Sequence, residues 1–133
     1  MQTTKDLLER AEKIRMYYLG EDWTKEMDPN RFANARLALA AVIAALSDLL
    51  PEAEKRVSMV KKAREERFLA LRKDEEQSAK DAETNARVES FEALWQAEYD
   101  RDTLKNTCDG LKEISNALST KIGALQSAAR NQS

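Results

Sequence analysis

The sequence predicts an all-α protein, an elongated helical bundle or hairpin with a C-terminal coiled-coil-like oligomerisation helix. Three observations carry this expectation. The 133 residues include only three Gly and two Pro, too few for a turn-rich β-fold. The long stretches between them are filled by Ala, Leu, Glu, Lys and Arg, all strong helix formers. Charged residues make up 35% of the chain beside 42% hydrophobic, more charge than an average globular protein carries, as long solvated helices require. The length suits one domain, residues 1–133. It is organised as an N-terminal helical hairpin over 1–50, a basic helix over 51–73 and a long C-terminal helix over 86–129.

The first helix starts at a cap supplied by Thr3 or Thr4, with Asp6 favourably placed in its first turn. Leu7, Ala11, Ile14 and Tyr18 then recur at helical spacing, and Gly20 marks its end. Glu21 to Asp28 has no period and reads as a loop, with Trp23 folding back on the helix. Asp28-Pro29 restarts the chain, Asp as cap and Pro at the first helical position, where its missing N–H costs nothing. From Phe32 through Leu39, Val42, Ile43, Leu46 and Leu50 the second helix is apolar on most sides and must be covered on more than one face. Its longest apolar run, Leu37 to Leu50, contains Ser47 and Asp48 and is short for a membrane span of about 20 residues. Tyr17, Tyr18, Trp23 and Phe32 suit core packing at this spacing, with a base-stacking platform as the alternative.

Pro51 disfavours helical geometry at Leu50 and removes a backbone donor, so a turn and a fresh helix are expected there. Along that helix Ala53, Val57, Val60, Phe68 and Leu71 fall on one side. Arg64 lies in the middle of the same stripe and needs an anionic partner from elsewhere. Residues 74–85 are polar throughout and hold the expected break. Beyond it Val88, Phe91, Trp95 and Tyr99 are spaced by three, four and four residues. From Leu104 through Cys108, Leu111, Ser115, Leu118, Ile122, Leu125 and Ala129 the spacing alternates between four and three, a coiled-coil rhythm widened by Ile114. Leu104, Cys108, Leu111, Ile114, Leu118, Ile122 and Leu125 are therefore the expected oligomerisation residues. Periodicity alone leaves open whether the seam's partner is the same chain or another copy. Cys108, inside the seam, reads as a small buried apolar residue. Gly110, Ala117, Gly123 and Ala124 lie off it and let a second helix approach closely.

Charge is distributed unevenly in a chain of net charge −2. Lys55, Arg56, Lys61, Lys62, Arg64, Arg67, Arg72 and Lys73 face only Glu65 and Glu66 in the basic helix, a local balance of +6. The following stretch, Asp74 to Asp100, has a balance of −7. A cationic helix of this kind suits an anionic partner such as a nucleic-acid backbone. The competing reading folds the two blocks against each other as surface ion pairs.

The inventory argues against most enzymes. The absence of His removes Ser-His-Asp and Cys-His catalysis, imidazole zinc sites and the Glu-x-x-His di-iron arrangement. Gly20, Gly110 and Gly123 are too far apart for a phosphate loop. No catalytic residue, metal site or cofactor is expected. A single Cys cannot close an internal disulfide, which suits a reducing compartment. The start MQTTKDLLER lacks the pattern of a secretory signal, and a cytoplasmic location without a membrane partner is expected.

Two segments resemble the UvsY-type recombination mediators of tailed phages. VKKAREERF, residues 60–68, is similar to the family's short Lys-Ala-Arg motif followed by aromatic positions. The order Leu104, Cys108, Gly110, Leu111, Ile114, Ile122, Gln126 is similar to its final amphipathic segment. The separation of the two segments agrees as well, and the likeness covers about residues 51–128. It departs in one place: Arg67 fills one of the two expected aromatic positions, leaving Phe68 alone.

The resemblance implies a phage-encoded helical protein, acting in the host cytoplasm, that assembles into a ring-shaped homo-oligomer and binds single-stranded DNA. It would help a UvsX-type, RecA-like recombinase displace single-strand-binding protein. Carried over by position, the DNA-contacting pair is Lys62 and Arg64. Lys55, Arg56, Lys61, Arg67, Phe68, Arg72 and Lys73 complete the expected DNA-binding set. Ring assembly would multiply the few cations of each subunit through avidity. The alternative is a non-enzymatic helical assembly, scaffolding or chaperone protein whose charged blocks pair between helices.

Overall fold

A computed structural model describes residues 3–74 and 78–131. The protein is all-α. In chain order it forms helix α1 (Thr4–Leu19), a short 3₁₀ turn (Asp22–Lys25), helix α2 (Pro29–Arg72) and helix α3 (Ala79–Asn131). Two compact units share α2 and α3: unit 1 comprises residues 1–49 and 104–133, unit 2 residues 50–103.

Local chemistry sets most of the helix ends. The Thr3 hydroxyl accepts from the Asp6 N–H at 3.1 Å while the Thr3 N–H donates back to the Asp6 carboxylate at 3.4 Å, a reciprocal cap that satisfies two otherwise orphaned donors. Gly20 ends α1 in extended backbone. Asp28 caps α2 by accepting from the Asn30 N–H at 3.0 Å, next to Pro29 at the first helical position. Between α1 and α2, Tyr17, Tyr18, Trp23 and Phe32 form a chain of edge-to-face contacts with centroids 4.9, 5.5 and 6.2 Å apart. Phe32 is buried, so this cluster holds α1 and α2 together and closes the turn.

Two expected boundaries move. Pro51 makes no turn; α2 runs through it. An interior proline costs about 3 kcal/mol or more, and the helix bears that cost because both flanks are anchored: Leu46 before it and Ala53 and Val57 after it are buried. Pro51 does fall beside the division between the units. The final helix begins at Ala79 rather than near Ala86. The Ser78 hydroxyl accepts from the Asp81 N–H at 3.1 Å and the Ser78 carbonyl from the Ala82 N–H at 3.0 Å. A Ser with an acidic residue three positions later is a helix-start signal. Glu75, Glu76 and Gln77 of the expected break lie outside the described residues.

In unit 1, Leu7 and Ala11 of α1 are buried together with Phe32, Leu39, Val42 and Leu46 of α2 and Leu104, Cys108, Leu111 and Leu118 of α3. Ser47 meets Cys108 at 3.9 Å and Arg36 meets Ser115 at 3.4 Å, so α2 and α3 run antiparallel. Four of the seven residues expected at an oligomerisation face are therefore covered inside one chain. Leu104, Cys108, Leu111 and Leu118 are covered by the chain's own helices, and Ile114, Ile122 and Leu125 are half-buried. Gly110 permits one close approach, since a Cβ there would stand 3.3 Å from the Arg15 Nε. α2 also contains an 18-residue window of mean hydropathy 1.6, apolar enough by length and composition to cross a membrane. That window is longer than the run Leu37 to Leu50 on its own, and Leu39, Val42 and Leu46 within α2 are core residues.

Unit 2 is built differently. Its buried residues are Ala53, Val57 and Leu71 of α2 and Ala82, Ala86 and Ala97 of α3, with Phe68 packed on Leu71, Ala82 and Ala86. Small side chains on the packing side let the two helices come close.

Candidate nucleic-acid interface

The basic stretch forms the second half of α2, and the helical period spreads its cations around the helix. Lys55, Arg56, Lys61, Lys62, Arg67, Arg72 and Lys73 are exposed, whereas Arg64 and Phe68 are half-buried. Three of the cations converge. Lys61, Lys62 and Arg64, with Ser58, Glu65 and Phe68 of α2 and Glu83 and Ala86 of α3, line an open cavity of about 660 Å³. Phe68 has one side on the apolar cluster of Leu71, Ala82 and Ala86 and another facing this cavity. Lys55, Arg56, Arg72 and Lys73 do not line it.

Among the described residues, one ion pair joins the basic stretch to the acidic one. Arg67 makes a two-pronged bridge to Glu89, Nε to Oε2 at 2.7 Å and Nη2 to Oε1 at 3.3 Å. The Arg67 guanidinium, chiefly through these hydrogen bonds, holds the Glu89 carboxyl below its ordinary range, and Glu89 in turn raises Arg67. Of the expected DNA-binding set, Arg67 is thus paired within the chain. Among the described residues, Lys55, Arg56, Lys61, Lys62, Arg64, Arg72 and Lys73 make no ion pair. Glu83, on the cavity wall, is already paired with Arg87 at 2.9 Å.

The cavity therefore presents three cations and Glu65, all unpaired among the described residues, beside one face of an aromatic ring. Such a surface can hold a phosphate by charge and leave a flat group against the ring. Sequence reasoning found the cations and Phe68 but missed Ser58, Glu83 and Ala86. Glu83 and Ala86 reach the site only through the register of α3 on α2; the Ser78 cap, which fixes where α3 begins, was the available signal. Among the described residues no group of three or more His, Cys, Asp or Glu side chains is placed to hold a metal.

Comparison with protein-family models, with curated proteins and with solved structures finds no match to this chain.

Proposed function

We propose that this protein binds single-stranded DNA through the second half of α2 and acts as a recombination mediator. In that role it helps a RecA-like recombinase assemble on DNA coated with single-strand-binding protein. The observation that carries the DNA-binding reading is the convergence of Lys61, Lys62 and Arg64 on one open cavity with Phe68, without ion pairs among the described residues. A half-buried arginine on an otherwise apolar stripe is stabilised by an anion, and a phosphate supplies one. The mediator role rests on the resemblance of residues 60–68 and of the segment from Leu104 to Gln126. One observation favours the alternative, a helical assembly or scaffolding protein: the Arg67–Glu89 bridge pairs the basic block with the acidic one.

A titration of single-stranded oligonucleotide at two salt concentrations tests the proposal, with native mass measured on the same sample. Replacing Lys62 and Arg64 together by Ala should weaken binding and flatten its salt dependence by about 1.4 in logarithmic slope, at about 0.7 for each phosphate of a single strand that is no longer neutralised. Helicity should stay unchanged, because Lys62 is exposed and Arg64 half-buried. Wild-type protein that fails to bind single strands at low salt would leave the assembly reading standing.

A further inference from the structure

One part of the basic cavity is out of keeping with a site for phosphate alone. Beside Lys61, Lys62 and Arg64 it carries Glu65, and α3 adds Glu83. The Glu83 carboxylate is held by Arg87 at 2.9 Å. Glu65 is exposed and makes no ion pair among the described residues. A carboxylate in that state repels a phosphate and weakens a site that serves only to hold one. Along α2, Glu65 stands one turn before Phe68, at i and i+3, and one turn after Lys61 and Lys62, at i−4 and i−3. The carboxylate therefore lies between the cations and the ring. Lys62 to Phe68 covers about 9 Å along the helix, within the reach of one nucleotide from its phosphate to its base.

Hydrogen-bond chemistry says what such a carboxylate selects. A base laid on Phe68 keeps its edge open, and Glu65 is the acceptor one turn away. An ionised carboxylate accepts through two oxygens and donates nothing. Guanine alone among the four bases has two adjacent donors on its Watson–Crick edge, N1–H and the 2-amino group, which match the two oxygens. Cytosine and adenine each have one amino group beside a ring nitrogen that is itself an acceptor. Thymine has a single N3–H between two carbonyl oxygens, which a carboxylate repels. In a duplex the guanine donors are taken up by cytosine, so only an unpaired strand presents them.

We propose that Glu65 gives the cavity a preference for guanine in single-stranded DNA. Its two carboxylate oxygens accept from N1–H and the 2-amino group of a guanine stacked on Phe68, while Lys61, Lys62 and Arg64 hold the adjoining phosphate. This preference rests on the DNA-binding reading and adds base selection to it. The repulsion between Glu65 and the phosphate is outweighed because three cations line the same cavity and the Glu83 charge is balanced by Arg87. Guanine is bound best, cytosine and adenine less well, and thymine least.

Fluorescence anisotropy of labelled strands at one low salt concentration tests it. The probes are an all-thymine strand and the same strand with isolated guanines, hypoxanthines or adenines in place of some thymines. Hypoxanthine keeps the purine ring and N1–H of guanine but lacks the 2-amino group, so it separates the carboxylate contact from stacking on Phe68. Wild type should bind the guanine strand about fivefold or more tighter than the thymine strand, the lower end for a bidentate base contact, with the hypoxanthine strand between them. Glu65→Gln replaces one accepting oxygen by a donor and removes a negative charge. It should bind every strand more tightly and the guanine and hypoxanthine strands alike, whereas Glu83→Gln should keep the preference. Both side chains are exposed, so circular dichroism should match wild type. The role of Glu65 is overturned, with DNA binding intact, by wild type that binds guanine and hypoxanthine strands equally. It is overturned as well by Glu65→Gln that keeps their ratio, or by Glu83→Gln that abolishes it. Wild type that binds none of the strands overturns the DNA-binding reading and the preference together.

Discussion

Units 1 and 2 both lay α2 against α3, yet α3 packs large side chains inward in unit 1 and small ones in unit 2. Unit 1 turns Leu39, Leu46, Leu111 and Leu118 inward. Unit 2 turns only Ala82, Ala86 and Ala97 of α3 inward, against Ala53, Val57 and Leu71 of α2, and leaves Phe91, Trp95 and Tyr99 outside. Burying a leucine contributes about 1.5–3 kcal/mol, and an alanine far less. Stability is therefore concentrated in unit 1, while unit 2 keeps its aromatic surface and most of its cations open to other molecules. The same helix, α3, does both, and what differs along it is the size of the residues on the packing side.

The strongest way to break this contrast is to remove a large residue from the packing side of unit 1. Leu111 has no exposed surface, and Leu111→Ala should lower stability by about 2–5 kcal/mol through lost transfer energy and a cavity, read from urea midpoints followed by circular dichroism. A loss well under that range would mean the seam is looser than its burial indicates. The converse change in unit 2 comes next. Ala86 is 2% exposed between α2 and α3, and Ala86→Leu should cost about 1–3 kcal/mol by overpacking. A neutral or stabilising result would show that alanine is not what sets the approach of the two helices there.

These two positions also show how far the sequence could be read. The all-α class, the Thr3 cap, the Asp28-Pro29 start and the halt at Gly20 rest on chemistry within a few residues and were legible. The fate of Leu104 to Leu118 was not, because a four-three rhythm fixes spacing and says nothing about what covers it. Pro51 misled for a related reason: the local preference for a turn was outweighed by buried residues on either side of it. At the basic cavity the cations were visible as a run, but Glu83 and Ala86, and the pairing of Arg67 with Glu89 twenty-two residues away, depend on helix register. Val88, Phe91, Trp95 and Tyr99 were legible as a stripe, and only the structure shows that it faces outward.

A smaller effect sharpens the contrast from the other side. Trp95 belongs to the exposed stripe, so Trp95→Ser should change stability by no more than about 0.5 kcal/mol in dilute solution, although tryptophan is the larger residue and serine is polar. Ser and Trp also have similar helix propensity, which removes one competing cause. A loss comparable to that of Leu111→Ala would mean that the stripe is covered within the isolated chain, and would move unit 2 into the same class as unit 1.

The smallest effect concerns the Arg67–Glu89 bridge, which ties the basic block to the acidic block. Arg67 holds the Glu89 carboxyl below its ordinary value of 4.5, so the unfolded chain takes up a proton at this position at a higher pH than the folded one. The bridge's contribution is therefore fully present above the ordinary carboxylate range and is lost as pH falls through the lowered value. Both groups are exposed, which screens the interaction and keeps it small. Stability of wild type and of Glu89→Gln, measured from about pH 7 down to about pH 3, should differ by a constant amount above about pH 6 and converge in acid. A difference that persists unchanged at the acid end would show that the pair is not made in solution. Arg67 would then rejoin the unpaired cations, and the basic face of α2 would present one more positive charge to an anionic partner.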